Sequence, residues 1–194
     1  MTHAAQTHTP RMHGAHEYAA RLVWDGNTGN GTSSYTGYSR RYHVRISGKP
    51  DLAGTADPAF RGEADMHNPE DLFLASLSAC HMLSYLALCA RHGVRVLAYE
   101  DDATGVLNVR ADGGGRFESV MLRPRVIIQS EEHIALAMQL HDAAHDLCFI
   151  ASSCSIPVRH EPTVQTGSSD TRVHDILPSG ADDDDHAGSR DRAG

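Results

Sequence analysis

The stretch His67–Arg91, HNPEDLFLASLSACHMLSYLALCAR, decides how this chain is read. It opens with a helix start. Asn68 is a capping residue type, and Pro69 suits the first helical position, where its missing N–H costs nothing. Glu70 and Asp71 favour the positive end of the helix dipole. The 19 residues Leu72–Ala90 then carry no formal charge. A helix is predicted over 69–91, stopped at Gly93. Its length is near the roughly 20 residues of a membrane span. Ser76, Ser78, Ser84, His81, Tyr85 and two Cys inside the run favour a central helix covered by sheet instead. No membrane partner is expected.

Outward from this helix the chain alternates between extended and helical patterns. Glu17–Trp24 and Tyr42–Ser47 read as strands, the second with Tyr42, Val44 and Ile46 on one face. The segment 48–58 is turn-rich. Val94–Val109 and Arg116–Gln129 have strand character, separated by the turn Asp112–Gly115. Ser130, Glu131 and Glu132 open a second helix, predicted to run to about Ser152 with Ile134, Met138, His141, His145 and Cys148 near one stripe. Val158–Val164 is a last strand. The order strands, helix, strands, helix, strand gives an α+β class. One domain is expected over 16–166, between a disordered N-terminus at 1–15 and a disordered acidic tail at 167–194.

Composition narrows the function. The net charge is −8, and the tail from residue 166, with seven Asp and three Arg, supplies about half of it. No basic patch stands out, so nucleic acid is not an expected partner. Lys49 is the only lysine, which removes most lysine-dependent chemistry such as Schiff bases, and Pro50 follows it, so Gly48-Lys49 is no phosphate loop. The first residues are polar and His-rich, unlike a secretory signal, so a cytoplasmic location with reduced thiols is expected. The four cysteines, Cys80, Cys89, Cys148 and Cys154, fit no zinc spacing.

Two constellations carry chemistry. In His141-Asp142-Ala143-Ala144-His145 two imidazoles share a helix face at i and i+4, with Cys148 as a conceivable third metal ligand. Asp is a shorter base than Glu, and 14 histidines make such pairs common, so exposed histidines on a helix surface are expected and no metal site is assigned. The cysteines are the stronger signal. A peroxide-reducing thiol needs a cation to favour the thiolate, an apolar approach, and a second thiol to turn the sulfenic acid into a disulfide. Cys80 has the apolar surroundings and Cys148 lies on the second helix. Arg61 is a candidate cation, with Glu70 as the carboxylate that orients it. The reading without chemistry is two packed core cysteines and a capping Glu70.

Asn68-Pro69-Glu70-Asp71-Leu72, followed by Ser78-Ala79-Cys80-His81-Met82, resembles the family of osmotically inducible protein C and the organic hydroperoxide resistance proteins. Trp24-Asp25-Gly26 and Asp57-Pro58-Ala59-Phe60-Arg61-Gly62 extend the resemblance, which covers roughly residues 17–165. It implies an OsmC-like fold, with two long central helices wrapped by antiparallel sheets in an intertwined homodimer. It implies a two-cysteine thiol peroxidase acting on organic hydroperoxides, with an external dithiol reductant such as a lipoyl protein and no cofactor. Carried over by position, Cys80 matches the peroxidatic cysteine, Glu70 the Asn-Pro-Glu carboxylate, and Arg61 the active-site arginine of the OsmC branch. Arg40 or Arg41 matches the alternative place of that arginine near the first hairpin. Cys148 matches the resolving cysteine, though the proline that often follows it is replaced by Phe149, which leaves Cys154 as a substitute. Cys89 matches nothing and is read as core. A non-catalytic, stress-associated binding protein of the same fold is the alternative.

Overall fold

Helix α1, Pro69–Arg91, starts and stops where the sequence places it. Asn68 Oδ1 accepts from the Asp71 N–H at 2.8 Å, and Asp71 Oδ2 accepts from the Asn68 N–H at 3.1 Å. This reciprocal pair satisfies two amides that a bare helix end would leave unpaired. Gly93 ends the helix at φ +75°. The structure is a computed structural model and describes residues 14–168. The expected disordered ends lie outside the described residues, apart from residues 14, 15, 167 and 168.

The chain divides into two compact units at Asp71/Leu72. The first holds an antiparallel sheet of order β1-β2-β3, with β1 at Arg21–Trp24, β2 at Tyr42–Arg45 and β3 at Leu52–Gly54. Strand β3 falls inside the segment read as turn-rich. Its three residues are too few to display an alternation, and pairing with β2 is what makes them a strand. A 3-10 turn, Pro58–Phe60, follows, capped by the Asp57 carboxylate on the Ala59 N–H.

The second unit carries the body of α1, two three-stranded sheets and two further helices. The two long strands read from the sequence are each broken once. The first becomes β4 (Val96–Asp101) and β5 (Thr104–Val109), the second β6 (Gly115–Leu122) and β7 (Pro124–Ile128). β4 pairs with β7 and β5 with β6, so one bent hairpin feeds both sheets. Asp101 sits at the bend, accepting from the Arg123 N–H at 2.6 Å and from Ser78 Oγ of α1 at 2.6 Å. Strands β8 (Val158–His160) and β9 (Thr163–Thr166) add to β6 and β7 in parallel, so the sheets are mixed rather than purely antiparallel.

Helix α2 runs Ile134–Asp146 and ends short of the predicted Ser152. The chain breaks at Leu147–Cys148 and resumes as a single turn, α3, Phe149–Ser152. The buried face of α2 is Ala137, Leu140, His141 and Ala144, while Met138, expected in the stripe, is 37% exposed. The core joins Tyr85, Leu88 and Cys89 of α1 to Val126 and Ile128 of β7 and to this α2 face. Leu77 packs with Val120 and Leu122 of β6.

Candidate active site

The second unit brings two of the expected cysteines together. Cys80 lies midway along α1 and is half-buried. Cys148 is 1% exposed, in extended backbone (φ −74°, ψ 104°) between α2 and α3. Its Sγ accepts from the Ala151 N–H at 3.4 Å and so caps α3. Burial pushes the Cys148 thiol up to about 11; the Ala151 N–H opposes this, and the nearby Cys80 side chain adds to the rise. The two thiols are therefore neighbours, one reachable and one dry, and at neutral pH the buried one holds its proton. All four cysteines are free.

The other two cysteines stand apart from this pair. Cys89 is 1% exposed and packs in the core against Tyr85, where burial raises its thiol. Cys154 is half-buried and donates to the Ile150 carbonyl at 3.1 Å. It lines an open cleft of about 290 Å³ with Phe73, Phe117 and Ile156.

In the first unit, Glu70 lines a cleft of about 220 Å³ with Arg40, Tyr42, Thr55, Asp57 and Phe60. Arg40 is fixed there by bonds to the Tyr38 and Tyr35 carbonyls, both at 2.6 Å, and its guanidinium stacks 4.0 Å from the Tyr38 ring. Five donors in a planar fork make Arg the residue for such a multiply held site. Burial, Glu70 and Asp71 all raise the Tyr42 phenol. Arg61 is not among the lining residues. It is exposed, ends the 3-10 turn in the left-handed region at φ 70°, and is followed by Gly62, whose α-carbon rides against the Ala56 carbonyl. Arg41 is engaged by Glu63 in a bidentate pair, Nε to Oε1 and Nη2 to Oε2. The cleft thus holds Arg40 with Glu70 where the sequence puts Arg61 first.

Of the two histidines expected on a helix surface, His145 is half-buried and His141 is buried, beside His81 of α1. His81 and His141 are both 0% exposed, and His81 Nε2 lies 3.1 Å from His141 Nδ1. Burial, then His160 and His145, lowers His81 to about 4. Burial, then His81 and His160, lowers His141 to about 3 against the pull of Asp142. Both are neutral at physiological pH. Asp142 points away to bond His160 at 2.9 Å. Among the described residues no three His, Cys, Asp or Glu are arranged to hold a metal ion. No sequence signal joins residues 81 and 141; only the fold does.

The family model for OsmC-like protein matches residues 62–163, more than half of the chain. The chain belongs to the OsmC-like family. An OsmC-like protein of unknown function from Vibrio cholerae has a solved structure that is 28% identical, covers 77% of this chain and 100% of its own, and superposes with a TM-score of 0.70. The organic hydroperoxide resistance protein of Elizabethkingia anophelis is 19% identical over 80% of this chain and 100% of its own, at a TM-score of 0.58. That of Bacillus subtilis is 21% identical over 75% and 98%, at 0.53. At those identities the last two show the OsmC-like fold alone. No curated protein is significantly similar in sequence.

Proposed function

We propose that this OsmC-like protein is a two-cysteine thiol peroxidase that reduces organic hydroperoxides in oxidative-stress defence. The proximity of half-buried Cys80 to buried Cys148 carries the reading. The Cys80 thiolate attacks the terminal oxygen of ROOH; an S–O bond forms, the O–O bond breaks, and ROH leaves with a proton. The Cys148 thiol then attacks the sulfenic sulfur; an S–S bond forms and the hydroxyl leaves as water with the Cys148 proton. An external dithiol, a lipoyl protein being one candidate, reduces the disulfide by exchange. The chemistry needs no metal or cofactor, and a reducing cytoplasm keeps the four thiols free between turnovers. The deciding experiment is consumption of cumene and fatty-acid hydroperoxides against hydrogen peroxide, with lipoyl and thioredoxin reductants compared. No turnover with any pair would leave the non-catalytic binding protein as the better reading.

A reactive thiolate needs a cation, and the family resemblance offers Arg61, Arg40 or Arg41 for it; of these, Arg40 shares a cleft with Glu70. Arg40→Ala is expected to slow iodoacetamide alkylation of Cys80 at pH 7 on the order of tenfold, the effect of losing one favourable charge. Arg61→Ala is expected to leave it within about twofold. The reverse ranking would return the role to Arg61.

The working form is a homodimer. Helix α1 is long and apolar enough to cross a membrane, and only 28% of its most apolar window is buried. The buried residues Leu77, His81, Tyr85 and Leu88 take one face. Ala75, Ala79, Leu83 and Ala87 recur at helical spacing on the other, with Leu83 63% exposed. A second copy of α1 is the cover that matches this stripe, since small residues let helices approach closely. Sedimentation at micromolar concentration is expected to give a dimer, and Leu83→Glu is expected to dissociate it. A wild-type monomer would rule the dimer out.

A further inference from the structure

The His81–His141 pair is costly and unexplained by packing. Each ring keeps a second buried nitrogen, His81 Nδ1 and His141 Nε2, that has no protein partner. Unpaired buried polar atoms cost on the order of 1–3 kcal/mol each, and a core selected for stability alone would use apolar residues here. Such exceptions mark function more often than stability.

The position of the pair says what it serves. His81 is the residue after Cys80 on α1. His141 lies on α2, whose end at Asp146 leads through Leu147 into Cys148. The rings lie parallel, 10° apart in plane, with centroids 5.4 Å apart. Among the described residues theirs is the one side-chain hydrogen bond that joins α1 to α2. Hydrophobic contact between two helices tolerates sliding, whereas a single directional bond does not. It also needs one nitrogen donating and the other accepting, so it is lost when both rings are protonated. The surroundings keep both rings neutral. Tyr85 stacks on His141 at 3.8 Å, His160 lies 5.4 Å from His81 and 6.4 Å from His141, and His145 lies 5.4 Å from His160. The Asp142 carboxylate is spent on His160.

We propose that His81 and His141 are positioning residues for disulfide formation: their hydrogen bond fixes α1 against α2 so that Cys148 meets Cys80. This rests on the two-cysteine reading above. Neither ring is hydrogen-bonded to a thiol. The pair acts on the second half of the oxidation, in which Sγ of Cys148 must come within bonding distance of the Cys80 sulfur, and leaves the first half alone.

The two halves separate in one experiment. Reduced protein receives one equivalent of cumene hydroperoxide. Loss of the Cys80 thiol, trapping of its sulfenic acid by dimedone, and appearance of the Cys80–Cys148 disulfide are followed in parallel by mass spectrometry. His141→Phe is expected to oxidise Cys80 at the wild-type rate, to form the disulfide at least tenfold more slowly, and to accumulate trapped sulfenic acid. His141→Gln, which still offers a donor and an acceptor, is expected to recover at least part of the loss. Disulfide formation at the wild-type rate in His141→Phe overturns the inference. If His141→Phe does not fold, His81→Gln and His81→Leu make the same comparison, and equal disulfide rates in those two overturn it. Failure of the wild-type protein itself to form the disulfide overturns the two-cysteine reading instead.

Discussion

Replacing Cys80 by Ser is expected to abolish hydroperoxide reduction. A serine hydroxyl has the shape of the thiol but is not ionised at neutral pH and cannot be oxidised through a sulfenic acid. The loss should be on the order of 1000-fold or more, as for other essential nucleophiles. Cys148→Ser is expected to fail differently. Cys80 is still oxidised once, because the hydroperoxide meets the half-buried thiol first, but no disulfide follows and dimedone traps the stalled sulfenic acid. Excess hydroperoxide then drives Cys80 on to the sulfinic acid. Peroxidase assay and intact mass together check both variants. Normal cycling in Cys148→Ser with stalling in Cys154→Ser would move the resolving role to Cys154. The expected outcome is stalling in Cys148→Ser: Cys154 bonds the Ile150 carbonyl and lines a separate cleft, whereas Cys148 is a neighbour of Cys80.

The second large effect is on stability in acid. His81 and His141 are held neutral, at about 4 and about 3 against an ordinary 6.5. The unfolded chain takes up protons at these positions near pH 6.5, while the folded chain does not until pH 4 or below. The unfolded state therefore binds more protons over that window, and folding stability falls as pH drops from about 6.5 toward 4. A tenfold weaker proton affinity in the folded state is worth about 1.4 kcal/mol, so the two rings together remove several kcal/mol, a large part of the usual stability of roughly 5–15 kcal/mol. Urea unfolding at pH 7 and pH 4.5 is expected to show this loss. The double variant His81→Leu/His141→Leu is expected to lose much less stability over the same interval, whatever its stability at pH 7. An equal loss in both proteins would show that other groups govern the acid transition.

Much of this is legible in the residues, and the gaps have definite causes. Helix α1 declares itself through Asn68-Pro69 and the uncharged run, because capping and composition act locally. The extent of the hairpin arms is legible from their apolar residues, but the bends at Asp102–Ala103 and Arg123 are not. A strand that changes sheets keeps its strand composition, and only Pro124, lacking an N–H, hints at a break. Helix α2 reads too long because nothing between Asp146 and Phe149 is a standard breaker. What ends it is the Cys148 sulfur capping α3, a side-chain contact outside the usual set of stops. The choice between Arg40 and Arg61 needs backbone geometry: the left-handed turn at Arg61 is not written in its residue type. The His81–His141 bond spans 60 residues and has no local trace at all.

The bent hairpin has a consequence for how this chain can vary in length. Both sheets of the second unit are cut from the same two arms, residues 96–109 and 115–128, and the bends must face each other for Asp101 to reach the Arg123 N–H. A residue deleted from either arm reverses the in–out alternation beyond it and misaligns the bend, so two sheets are spoiled by one change. The tip at Arg110–Gly114 is free of that constraint. It is closed by its own bonds, Arg110 N–H to the Gly114 carbonyl and Gly113 N–H to the Arg110 carbonyl, and Ala111, Asp112 and Gly113 are exposed. Insertions, affinity tags or a fluorescent reporter belong there, where added length is taken up by the turn and never reaches the thiols.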